Sequence, residues 1–175
     1  MKKNIFIIPE EEINKIGMEN QIYGYIKKSG LKNICKEINY LIKYNKIKYI
    51  YGIDLGCGDG DAINYFNSNI TNSEWIGIEL SAYRISLSVN PDIIIEGDLL
   101  DLSYKMYNFI YVNNLVFDDV LSNKLETKII NEFNGIIIVT KYFENKNLTK
   151  YKINRTIKAD TNWQKDYILY IYIIN

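Results

Sequence analysis

Apolar and polar positions alternate along this chain with two different periods. Over 29–45 (SGLKNICKEINYLIKYN), Leu31, Ile34, Cys35, Ile38, Leu41 and Ile42 recur at i, i+3, i+4 and i+7, which predicts an amphipathic helix. YIYGIDL (49–55) is a short apolar run ending in a glycine-rich turn and reads as a buried strand. A helix is expected over 60–69, a second strand over 75–80 (WIGIEL), and a short helix over 81–89, stopped before Pro91. IIIEG (93–97) and FIYVNN (109–114) read as the third and fourth strands. KLETKIINEF (124–133) reads as a helix ended by Asn134-Gly135, and GIIIVTKYF (135–143) as a fifth strand. The tail, 151–159 and 166–174, reads as a closing hairpin. Strands alternating with helices predict an α/β fold: a mostly parallel seven-stranded sheet with a C-terminal antiparallel hairpin.

Composition removes several function classes. At 175 residues, 47% hydrophobic and 24% charged, the chain has the size and make-up of one globular domain. It lacks histidine, so His-ligated zinc and Ser-His-Asp triads are excluded, and no metal is expected. Two cysteines, Cys35 and Cys57, allow one cross-link at most, and a reducing compartment is the default. MKKNIFIIPEEE is too short an apolar run for a signal peptide, and no stretch approaches a membrane span. An intracellular protein without membrane attachment is expected. The wealth of Ile, Asn and Tyr, with Arg84 and Arg155 the two arginines, suggests coding bias from an AT-rich, viral or reduced genome.

Net charge is zero, but it is segregated. Residues 26–50 carry seven Lys and one Glu; 141–165 carry seven basic and two acidic residues. Residues 92–119 carry six acids against Lys105. An acidic mouth for a basic substrate, flanked by basic surfaces, follows from this pattern. The Lys27–Lys48 and Lys141–Lys165 regions are candidates for DNA-backbone or other acidic-surface contacts.

The most specific motif is Asp54-Leu55-Gly56-Cys57-Gly58-Asp59-Gly60, between a strand and a helix. Glycines there permit a tight turn and close backbone approach to a ligand. Glu79 closes the second strand, where an acid can accept both ribose hydroxyls. Asp98-Leu99 follows the third strand. Position 61 is Asp, so the GxGxxG dinucleotide pattern fails, and no phosphate-binding Gly-Lys-Ser/Thr loop occurs. This ordered set resembles the class I S-adenosylmethionine (SAM) methyltransferases, with their Rossmann-like fold.

The fourth strand ends in VNNLVF (112–117), without the Asn-Pro-Pro-Tyr type of base-clamping segment. It resembles VNNFAF of the non-SET, Dot-type (disruptor of telomeric silencing) histone lysine methyltransferases. Ile22-Tyr23-Gly24, GIIIVTKYF, and Trp163 seven residues before Tyr170 match that family in the same order. The resemblance implies a short N-terminal segment (1–22), a methyltransferase domain (23–175), and SAM as cofactor. Tyr23, Asp54, Gly56, Gly58, Glu79, Asp98, Leu99 and Asn113 would contact the cofactor. Leu115, Phe117, Trp163 and Tyr170, with Asn113, would form the catalytic lysine channel. Departures are Tyr25 and Ile26, where the family has Glu and Thr, and Leu115 in place of Phe. A histone in nucleosomes is the implied partner, and the nucleus or a viral factory the implied location. Open alternatives are a non-histone protein lysine, a nucleic-acid or small-molecule acceptor, and a methyltransferase-fold binding or stimulatory subunit without turnover.

Overall fold

A computed structural model describes residues 4–144 and 153–174. Helix α1 (Glu10–Ile16) and a 3-10 turn (Met18–Gln21) precede α2 (Lys28–Tyr44). The alternation then runs β1 (Ile50–Leu55), α3 (Asp61–Asn69), β2 (Ser73–Glu79), α4 (Ala82–Ile85), β3 (Ile94–Glu96) and β4 (Phe109–Val112). Helix α5 (Asp119–Glu132), β5 (Gly135–Val139), β6 (Ile153–Ala159) and β7 (Tyr167–Ile174) complete it. The seven strands order as β3-β2-β1-β4-β5-β7-β6. The first five are parallel, and β7 pairs antiparallel with both β5 and β6. The α/β class, the parallel order and the terminal hairpin are as the sequence predicts. Residues 151–152 of the hairpin lie outside the described residues, as do Lys146, Lys150 and Lys152 of the second basic region.

Each face of the sheet has its own core. On one, α2 and α3 bury Ile34, Ile38, Leu41 and Phe66 against Trp75, Phe109 and Tyr111. Gly52 makes this packing possible: a Cβ there would lie 2.3 Å from the Trp75 ring. The other face packs α5 (Leu125, Ile129) and Tyr104 on Ile53, Ile110 and Ile137. Both cysteines are buried and unpaired. Among the described residues no helix is long and apolar enough to cross a membrane.

Several boundaries differ from the pattern, for visible reasons. Helix α5 begins at Asp119, not at 124, because the Asp118 carboxylate accepts from Leu121 N at 2.7 Å and caps it. In its first turn Val120 is exposed and Leu121 only half-buried, so the buried apolar period starts later. Strand β5 stops at Val139, not at 143: Asn114 Oδ1 accepts from the backbone N–H of Thr140 (3.1 Å) and of Lys141 (2.8 Å). Gly135 does not cap a helix; it opens β5 at φ 154°, where a Cβ would lie 2.3 Å from Asn108 O. Helix α4 is only four residues long, and helix α1 was not anticipated at all.

Candidate functional site

The sheet order reverses between β1 and β4, and in open α/β sheets a crevice forms outside the strand ends at such a point. The turn after β1 runs through Gly56, Gly58 and Gly60 at φ 77°, 61° and 78°. An L side chain at these positions would strain the backbone by roughly 1–2 kcal/mol each, so glycine recurs at every second residue. Gly56 N and Cys57 N donate to Ile78 O at 2.9 and 3.1 Å, which fixes the turn against β2. The Tyr23 ring packs where a Gly58 Cβ would be, 2.4 Å from that point.

Glu79, at the end of β2, is buried and already engaged. Its Oε2 accepts from Gly58 N (2.8 Å) and its Oε1 from Ser81 N (2.9 Å). Arg84 Nη1 stands 3.6 Å from Oε1. A carboxylate has about four lone-pair sites, so Glu79 retains capacity for further donors. Arg84 also donates to Gln21 O (2.8 Å) and lies over the Tyr23 ring at 5.1 Å. The residue was not singled out from the sequence; its rarity in a Lys-rich chain was the available signal. Asp98 is exposed and accepts from Leu100 N at 2.8 Å.

Asn113 ties three elements together. Its Nδ2 donates to Gly24 O at 2.8 Å, and its Oδ1 accepts from the Thr140 hydroxyl at 3.0 Å. The residue therefore clamps the N-terminal loop to the ends of β4 and β5. Trp163, in the β6–β7 loop, packs on Gly24, where a Cβ would lie 2.7 Å from its ring. Asn162 accepts from Tyr25 N and holds the same loop from the other side.

These residues enclose a cleft of about 380 Å³. Tyr23, Gly56, Glu79, Asp98, Leu99 and Asn113 line it, as expected of cofactor-binding residues, and so do Leu115, Phe117 and Trp163. Glu19 and Asp118 add acidic groups to its wall, so part of the acidic segment does face the cleft. A second cavity, about 580 Å³, lies behind a partition formed by Tyr23, Gly24, Gly56 and Asn113. Asp54 opens into this second cavity, with Asp61, Tyr65 and Tyr111. Burial, with the charge of Glu79 added, holds the Asp54 carboxyl well above the usual range. Burial and the neighbouring Asp59 and Asp54 raise the Tyr23 phenol in the same way.

Three expected residues lie outside the cleft: Asp54, which opens into the second cavity, Gly58 and Tyr170. Gly58 lines neither cavity; its N–H holds Glu79 in place. Tyr170 also lines neither: it packs on Tyr142 at 5.7 Å, on the α5 side of the sheet, whereas Trp163 packs on the α2 side. Residues seven apart across a loop-to-strand junction carry no fixed phase, so the Trp–Tyr spacing did not reveal this.

The N-terminal segment roofs the site, which hydrophobic periodicity did not indicate. Glu12 is buried and accepts from the Ser81 hydroxyl (2.8 Å) and Tyr83 N (3.0 Å), pinning α1 to the start of α4. Burial works to raise its pKa, but these hydrogen bonds outweigh it, and the net direction is downward.

Neither a protein-family model nor a curated protein sequence matches the chain. Its structure, however, is similar to solved methyltransferases. The magnesium protoporphyrin IX methyltransferase ChlM of Synechocystis PCC 6803, with bound SAM, aligns over 99% of this chain and 98% of its own (TM-score 0.57, 14% identity). The plantazolicin methyltransferase BpumL, in complex with SAH, aligns over 64% of this chain (TM-score 0.51, 18% identity). The present chain spans 48% of BpumL, about half its length. A proposed RNA methyltransferase of Pyrococcus horikoshii aligns over 81% of this chain and 83% of its own (TM-score 0.54, 14% identity). At these identities the likeness shows the fold, that of the class I SAM-dependent methyltransferases.

Proposed function

We propose that the chain binds SAM at the strand ends of β1, β2 and β3 and methylates a lysine side chain of a protein. A histone lysine in nucleosomes is the acceptor favoured by the resemblance at Val112–Phe117. The observation that carries the reading is one cleft whose wall holds Gly56, Glu79 and Asp98 together with Leu115, Phe117 and Trp163.

The residues fit such a cofactor. Carboxylates at Glu79 and Asp98 can accept from ribose hydroxyls and an adenine amine, and Leu99 and Ile78 offer apolar contact to a flat base. At Gly56 a Cβ would meet only the Phe117 ring, at 3.7 Å, so the backbone there is open to close approach. When bound, SAM supplies a methyl group on a sulfonium that an uncharged amine can attack in line. The chain's own residues supply the rest. Glu19, Asp98 and Asp118 give the cleft an acidic wall that attracts a cationic side chain. Leu115, Phe117 and Trp163 would desolvate the amine, whose free pKa is near ~10.4, and so lower it toward the neutral, nucleophilic form. No general base is then required, which suits a chain without histidine. Asn113 acts by holding Gly24 and the roof in position, so that alignment supplies most of the rate. A chromatin acceptor implies action in a nucleus or a viral factory.

A second reading is a methyltransferase-fold binding subunit without turnover. It is favoured by Asn113, whose amide is satisfied at both ends by the protein itself. One assay separates the two. Labelled SAM is offered with nucleosomes, free histone octamer or naked DNA. Label on nucleosomal histone that is lost in Asn113→Ala supports the proposal. Label on DNA overturns it, and SAM binding with no labelled protein favours the binding subunit.

A further inference from the structure

The far end of the sheet from the cleft carries a surface that the methyltransferase reading leaves unused. Helix α2 ends at Tyr44, and β1 begins at Ile50 after a short turn. Four tyrosines flank this turn and are exposed: Tyr40 (47%), Tyr44 (70%), Tyr49 (40%) and Tyr51 (49%). Tyr40 and Tyr44 are stacked, with ring centroids 5.8 Å apart and planes 14° from parallel. Tyr49 and Tyr51 pack together at 4.8 Å. Around them Lys36, Lys43, Lys46 and Lys48 are all exposed, and none makes an ion pair among the described residues. Glu37, the one acid within 26–50, is taken up by Arg155 at 3.0 Å. Glu74, beside Tyr51 on β2, is the nearest other acid by strand register.

The arrangement is rigid. Ile47 N donates to Ile42 O (2.9 Å) and Lys46 N to Lys43 O (3.4 Å), the paired bonds that close a helix C-terminus. Lys46 sits between them at φ 55°, the left-handed position where glycine is cheapest. A lysine is thus kept where its backbone is strained. At the other side, Asn108 bonds the backbone of Tyr49 and Tyr51 through its own side chain and fixes the start of β1. Arg155 lies over Tyr40 at 4.4 Å, so that Tyr44 is the outer ring of the pile.

We propose that this end of α2, with the Asn45–Lys48 turn and the start of β1, is a docking surface for single-stranded nucleic acid. Unpaired lysines neutralise phosphates, and exposed aromatic faces stack with bases whatever their sequence. An acidic peptide would use the lysines and leave the ring pairs without a role. A duplex presents its bases already stacked and would gain nothing from Tyr44. The surface lies a strand length from the cleft, roughly 3.3 Å for each residue of β1. It therefore serves to hold a nucleic-acid-bearing partner, not to present an acceptor atom, and it does not rest on the methyl-transfer reading.

The test is fluorescence anisotropy with labelled oligo-dT and oligo-U of about 20 nucleotides, against a duplex of equal length and polyglutamate. The expected result is binding of the single strands, with a log–log salt slope near −2 if three phosphates are neutralised (about −0.7 for each). Tyr44→Ala with Tyr49→Ala should weaken binding about thirty-fold or more while the slope stays. Lys46→Gly should reduce the slope without lowering the melting temperature, since glycine relieves the left-handed strain. Equal binding of duplex or polyglutamate, indifference to the tyrosine changes, or no binding at low salt overturns the proposal. Thermal stabilisation by SAM, measured in the same variants, is expected to be unchanged and reports on the cleft separately.

Discussion

Asp54 is a buried carboxylate, and the neighbouring charge of Glu79 is of like sign. It is buried in the middle of the sheet between Gly77 and Tyr111, and its pKa is driven upward by burial first and by Glu79 second. A group whose folded pKa is raised favours the folded state while protonated. Its contribution is full below the unfolded value near ~3.9 and is lost as pH rises through the folded value. The protein without cofactor therefore bears a stability cost at neutral pH. Each unit by which folding raises a carboxyl's pKa costs about 1.4 kcal/mol at a pH above the folded value. Asp54→Asn keeps the shape and removes the charge, so it should stabilise the cofactor-free protein by that order at pH 7. For a domain of this size each kcal/mol moves the melting temperature about 2–4 °C. The advantage should shrink toward zero near pH 4. SAM should stabilise both forms alike, by about 2.7 kcal/mol at a hundred-fold excess over Kd, because Asp54 opens into the second cavity and not into the cleft walled by Glu79 and Asp98. The assay is thermal unfolding between pH 4 and 8, with and without SAM. A variant less stable than wild type at pH 7 without SAM, or a difference that does not change with pH, refutes the reasoning.

The other predictions concern the roof and the cleft. Glu12→Gln should cost about 1–2 kcal/mol at neutral pH by weakening its charge-assisted bonds to Ser81 and Tyr83. Because the Glu12 pKa is lowered, that cost should be full above the usual carboxylate value and vanish as pH falls through the folded value; unfolding curves across the acid range check it. Asn113→Ala removes the bonds to Gly24 and Thr140 and should cost about 1–3 kcal/mol. Its effect on methyl transfer should exceed that on stability, as kinetics at a temperature well below melting would show. Trp163→Ala should impair methyl transfer while SAM binding persists, whereas Tyr170→Phe should leave both nearly unchanged. A large loss in Tyr170→Phe would place that ring at the acceptor after all.

The alternation of helix and strand signals was readable because burial imposes it. Parallel strands covered on both faces must be apolar runs, and α2 must turn one stripe inward, so Ile34, Ile38 and Leu41 announce themselves. The Asp54–Gly60 turn was equally legible, since glycine at 56, 58 and 60 has a purely local cause in positive φ. The spacing of Glu79 and Asp98 followed from the strand ends they occupy. Local pattern also set the limits of this reading. The end of β5 is decided by the Asn114 side chain, which accepts from the backbone just past that strand, far away in sequence.

What tertiary structure alone decided is which polar groups meet. Arg84 joins Glu79 to Gln21, Glu12 crosses to Ser81, Asn113 reaches Gly24, and Trp163 closes on the same glycine. None of these pairings has a period or a spacing, because each joins elements brought together only by the finished sheet. The separation of Trp163 from Tyr170 has the same origin: pairing of β7 with β5 and β6 sets the face of Tyr170, while Trp163 lies in the loop before β7 and is placed by packing on Gly24. The sequence by itself therefore determined the sheet, the helices that cover it, and the glycine turn that opens the site. Folding decided the roof, the clamp and the partition into two cavities, because long-range polar contacts depend on where chain segments end up and not on what lies beside them in the chain.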